Sequence, residues 1–93
     1  MPDYARAIEF AIGKEMNTIG KPVALKQADE MDTLAVDEDG KVERIDGDGK
    51  DVLEQLVEKY KDISGTVASS LIAYEIRDNM DMDPEDLPEN ISQ

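Results

Sequence analysis

Apolar residues in this chain recur at the spacing of an α-helix in three separate stretches. Tyr4, Ile8, Ala11, Ile12, Met16 and Ile19 make the first; Val52, Leu53, Leu56, Val57, Tyr60 and Ile63 the second; Val67, Ala68, Leu71, Ile72, Tyr74 and Ile76 the third. Residues three and four apart share one helical face, so each stretch presents an apolar stripe that has to be covered. The flanking residues agree with this reading. Pro2 suits a first turn, and Gly20 followed by Pro22 reads as a stop, which predicts a helix over 3–19. Gly13 weakens it locally by up to ~1 kcal/mol relative to Ala. Asp48 is placed to cap the second helix, with Asp51 in the capping-box position. Thr66 caps the third, which ends near Met80.

Between the first and second stripes the period changes. Residues 41–45, Lys-Val-Glu-Arg-Ile, alternate as a strand does, and Thr33-Leu34-Ala35-Val36 is a second strand signal. Asp37-Glu38-Asp39-Gly40 joins them as a hairpin turn, with Gly40 free to take positive φ. Residues 23–28, Val-Ala-Leu-Lys-Gln-Ala, make a thinner strand signal. The expected fold is therefore α+β in the order α-β-β-β-α-α, a three-stranded, mainly antiparallel sheet with helices packed on one face. A length of 93 residues holds one domain, expected over 1–80. Residues 81–93 carry five acids, no base and the Pro-bearing pairs Asp83-Pro84 and Leu87-Pro88, and read as a disordered acidic tail.

The chain has no Cys and no His. Thiolate zinc sites, disulfides and serine–histidine or cysteine–histidine catalysis are excluded. The N-terminus shows no basic-then-apolar leader and no stretch is long enough to span a bilayer, so a cytoplasmic location is expected. The formal charge is -13, which disfavours direct contact with nucleic acid or an anionic membrane and favours cations and basic partners. This charge is unevenly placed: residues 28–51 hold net -7 and residues 81–93 net -5, whereas the helical stretches are close to balanced.

Three functional readings follow. The first is a non-enzymatic binding protein with a weak Ca²⁺ or Mg²⁺ site in the hairpin region, because hard cations take several carboxylates close in sequence. Its ligands would be Asp37, Glu38, Asp39, Asp46, Asp48 and Asp51. The spacing is not that of an EF-hand: setting Gly40 as the loop glycine puts Ala35 at the first ligand position, and setting Gly49 there puts Arg44 first and Gln55 last. The second reading is an acidic interaction surface, or an imitation of nucleic-acid charge, that docks on a basic partner protein through Asp29, Glu30 and Asp32 and the run Asp37-Glu38-Asp39. Phe10, opposite the apolar stripe of its helix, is a further contact candidate and the seam of a homodimer. The third reading is an enzyme using paired carboxylates. Glu15 and Glu75 fall within apolar helical arcs, where burial would raise their pKa.

Overall fold

The computed structural model describes residues 2–91. Four helices and a two-stranded antiparallel sheet make a small α+β fold: α1 (Tyr4–Ile19), α2 (Lys21–Asp29), β1 (Leu34–Val36), β2 (Val42–Ile45), α3 (Gly49–Ser64) and α4 (Val67–Asn79), followed by a short 3₁₀ turn (Pro84–Asp86). No helix among the described residues is long and apolar enough to cross a membrane.

Helix α1 sits at the centre and packs against α2, α3, α4 and β2. The Asp3 carboxylate accepts the Arg6 backbone N–H at 3.0 Å and opens it. Ala7, Ile8, Ala11 and Ile12 are fully buried. At the far end Gly20 takes φ +95° and turns the chain directly into α2.

Helix α2 replaces the strand expected at 23–28, so the three-stranded sheet and the order α-β-β-β-α-α give way to two helices followed by two strands. The reason is local. Pro22 lies in the first turn of α2, where a missing N–H costs nothing, so the proline that reads as a stop is also a start. Only Val23 in that stretch is β-branched, and Ala24 and Ala28, four apart, are both fully buried.

The hairpin pairs Leu34 with Ile45, Ala35 with Arg44 and Val36 with Val42, with an irregularity between Ala35 and Val36. Two strands alone are marginal in water. Here α1 and α2 support them: Glu9 accepts the Val42 N–H at 2.9 Å, and the turn closes on α1 at Gly40. A Cβ on Gly40, whose φ is +81°, would lie 2.9 Å from Ile12 Cγ2, so this position admits only glycine without rearrangement.

Helix α3 is capped by Asp48, which accepts the Lys50 N–H at 3.0 Å, as its sequence position implies. Its stripe of Val52, Leu53, Leu56, Val57 and Tyr60 is buried. Thr66 precedes α4 but makes no side-chain cap bond.

The segment read as a solvated tail is packed in its described part. Leu87, Pro88 and Ile91 are buried in the core. Tyr4 Oη donates to the Asp86 carbonyl at 2.6 Å, Lys50 Nζ to the Glu85 carbonyl at 3.1 Å, and Asn90 Nδ2 to the Glu54 carbonyl at 3.0 Å. Burial of one large aliphatic side chain is worth about 2 kcal/mol, enough to hold down a polar segment whose prolines limit its entropy. Ser92 and Gln93, the end of the expected tail, lie outside the described residues.

Candidate functional site

The six hairpin carboxylates proposed as metal ligands do not form a metal centre. Asp37 Oδ1 accepts the N–H groups of Asp39 and Lys41, each at 2.9 Å. These bonds hold its carboxyl below the ordinary Asp range. Asp46 pairs with Arg44 at 2.9 Å, Asp39 faces Lys21 at 3.8 Å, and Asp48 caps α3. Glu38 and Asp51 are exposed. Among the described residues no three carboxylates group closely enough to hold a metal ion. Two of the six, Asp37 and Asp48, satisfy a turn and a helix N-terminus, a use that needs the same residue types.

The Phe10 ring is half-buried against the core, and the Arg6 guanidinium lies 5.2 Å above it. Intramolecular packing and a cation–π contact cover part of the Phe10 ring.

Two of the expected partner residues do come together with others. Glu30 and Asp32 border an open groove of about 640 Å³, whose opposite wall is Glu54 and Glu58 of α3, with Met31, Thr33, Gln55 and Lys59 completing it. Asp29, the last residue of α2, is exposed but does not line the groove. The placement follows from local structure. The Glu30 and Met31 N–H groups bond back to Lys26 and Ala28 carbonyls at 3.1 Å each, which turns the chain sharply after α2. Met31 is buried and anchors the turn, leaving Glu30 and Asp32 on its outer side. Glu54 and Glu58 are four apart on α3 and therefore stacked on one face.

Four carboxylates thus share the groove with Lys59, which pairs with Glu30 at 3.2 Å. Glu58 has further partners. It accepts from Asn90 Nδ2 at 2.8 Å and from Lys61 Nζ at 3.3 Å, and these two bonds, Asn90 first, lower its pKa. Thr33 Oγ1 is buried beside the groove without a hydrogen-bond partner. Sequence reading passes over Glu54 and Glu58 because α3 as a whole is nearly neutral. The available signal was their i, i+4 spacing on the polar side of an amphipathic stripe.

Two further grooves differ in character. One, about 440 Å³, lies where the start of α1 meets the end of α4 and carries Asp3, Asp81, Asp83 and Asp86 around Arg6. The other, about 530 Å³, is lined by Lys61, Arg77, Tyr74 and hydroxyls of α4, and has no acid.

The candidate catalytic carboxylates are separated in function. Glu15 is fully buried: Oε1 accepts from Ser64 Oγ at 3.3 Å and Oε2 has no partner, and burial pushes its pKa up. Its negative form would also face Tyr60, whose phenol is shifted upward chiefly by burial and further by Glu15. Glu75 is half-buried and its carboxylate accepts from Asn79, on its own helix, at 3.3 Å. Neither lines any of these three grooves. No protein-family model matches the chain, and no curated protein or solved structure gives a significant match.

Proposed function

We propose that this protein is a non-enzymatic interaction module that docks a basic segment of a partner protein on the acidic groove along α3. The observation that carries this reading is the groove's own make-up: Glu30, Asp32, Glu54 and Glu58 border open solvent and outnumber Lys59 and Lys61, which pair with Glu30 and Glu58, without the close grouping an ion would require. Spaced carboxylates suit several separate ammonium or guanidinium groups, or the basic surface of a nucleic-acid-binding protein, where they stand in for phosphates. Met31 supplies apolar surface for the methylene stems of Lys or Arg. The net charge of -13 adds long-range attraction, which speeds encounter more than it tightens the complex.

The test is a titration of the full chain with a Lys/Arg-rich peptide, followed by backbone amide shifts at low and physiological salt. Saturable shifts confined to 30–33 and 54–59 are expected, weakened by salt and lost in the double variant Glu54→Gln, Glu58→Gln. Shifts spread evenly over all acidic segments overturn the reading. Parallel titration with Ca²⁺ and Mg²⁺ separates the competing view. Saturable changes at 37–40 and 46–51 would return the assignment to a cation site.

A further inference from the structure

Residues 81–91 cross the molecule in a way that sets attraction against repulsion. The segment leaves α4 at Met80, makes the 3₁₀ turn, and runs along α3 from its first turn to its third. Its inner side is apolar, with Leu87, Pro88 and Ile91 seated in the core. Its outer side is anionic, with Asp81, Asp83, Glu85, Asp86 and Glu89 and no base. The surface it lies on carries acids as well, Asp48 at the cap of α3 and Glu54 and Glu58 along it. Tyr4, whose hydroxyl donates to the Asp86 carbonyl, has its phenol pKa raised first by burial and then by the charges of Asp86 and Asp48. Farther along, Asn90 donates to Glu54 and Glu58, the two carboxylate-bearing residues of the groove wall. Lys50, bonded to the Glu85 carbonyl, bridges the two elements.

We propose that 81–91 is an electrostatic strap whose closure over α3 is coupled to the docking of a cationic segment in the adjacent acidic groove. This rests on the docking reading above. Apolar anchors and the hydrogen bonds from Tyr4, Lys50 and Asn90 hold the strap shut, while like charges on the strap and on α3 work to lift it. Cations that enter the groove reduce that repulsion and so favour closure. By linkage, a closed strap favours the cation to the same degree. Asn90 connects the two events, because its amide holds the Glu58 carboxylate in the groove wall. An open strap leaves Glu58 paired with Lys61 and uncovers the core surface against which Ile91 is buried.

The experiment is amide hydrogen exchange on the full chain. The strap reporters are the N–H groups of Asp86, Leu87 and Ile91, which bond within the strap to Asp83, Pro84 and Pro88 carbonyls. Buried amides of α1 serve as reference for global stability. Raising salt from about 0.01 M to about 0.15 M shortens the screening length from about 30 Å to about 8 Å, and strap protection is expected to rise about tenfold more than that of the reference. The exposed-charge variant Asp83→Asn, Glu85→Gln should raise protection at low salt and flatten its salt dependence. A Lys/Arg-rich peptide at low salt should give the same rise in the wild type and a smaller one in Asn90→Ala. Strap amides that track the reference at every salt concentration overturn the strap. A peptide that shifts 30–33 and 54–59 but leaves strap protection unchanged overturns the coupling while the docking reading stands. A salt-dependent strap with no peptide shifts at the groove overturns the docking reading, and the coupling with it.

Discussion

The hairpin region and the C-terminal strap are the two most acidic parts of this chain, and they are held in opposite ways. In the hairpin the carboxylates themselves organise the backbone: Asp37 gathers the N–H groups of its own turn and Asp48 those of α3. In the strap the ordering is done by long-range partners of other kinds, namely the buried side chains of Leu87, Pro88 and Ile91 and donors reaching in from Tyr4 and Lys50. Equal acidity therefore has unequal meaning. Hairpin acids are tied to local geometry. Strap acids are a repulsive load on a segment fixed by apolar burial.

That contrast can be broken at its strongest point by Ile91→Ala. Truncating a fully buried Ile should cost about 3 kcal/mol in denaturant unfolding and release the strap ahead of the rest, seen as early loss of Leu87 and Ile91 amide protection. Gly40→Ala strikes the hairpin instead. Positive φ and the Ile12 methyl at 2.9 Å from the new Cβ together should cost about 2 kcal/mol, read as a lower unfolding midpoint with the strap amides unaffected relative to the core. If both variants loosened both regions equally, the two would form one cooperative unit and the comparison would fail.

A smaller effect with the opposite sign is expected at Glu15, which belongs to neither region. Its pKa is raised in the folded state, so the folded chain holds a proton that the unfolded chain releases. Its stabilising contribution is then complete below the unfolded Glu pKa and falls away as pH rises through the folded value. Glu15→Gln should raise Tm at neutral pH, and the gain should vanish under acid conditions. A variant less stable at all pH values would show that the Ser64 contact outweighs the cost of burial. Asp37→Asn should give the smallest change and the reverse pH trend. The Asp37 pKa is lowered, so its contribution is present above the unfolded Asp pKa and is lost as pH falls through the folded one. The acid-induced movement of the Asp39 and Lys41 amides should be absent in the variant, and persistence of that movement would assign the turn's order to other bonds.

Much of the fold was legible because the signals were local. The stripes of α1, α3 and α4, the Asp48 cap and the Gly40 turn each depend on neighbours within four residues. The errors arose where one signal has two meanings. Pro22 after Gly20 ends one helix and begins another, and nothing within 20–28 says which until Ala24 and Ala28 are seen against the core. The candidate site was half legible. Glu30 and Asp32 stood out as a charge run, but their groove partners Glu54 and Glu58 lie more than twenty positions away on a helix of low net charge.

The sequence by itself determined that this is an anionic chain without thiol or imidazole chemistry, built from three amphipathic helices and one hairpin. Periodicity and side-chain inventory are properties of the chain at short range. The tertiary structure alone decided which acids meet, that Asp37 and Asp48 bond to backbone N–H groups, and that a proline-bearing acidic segment lies over α3. Those outcomes depend on whether Leu87, Pro88 and Ile91 find a cleft and whether α2 and α3 bring their acids side by side, and burial and convergence exist only after distant parts of the chain have packed.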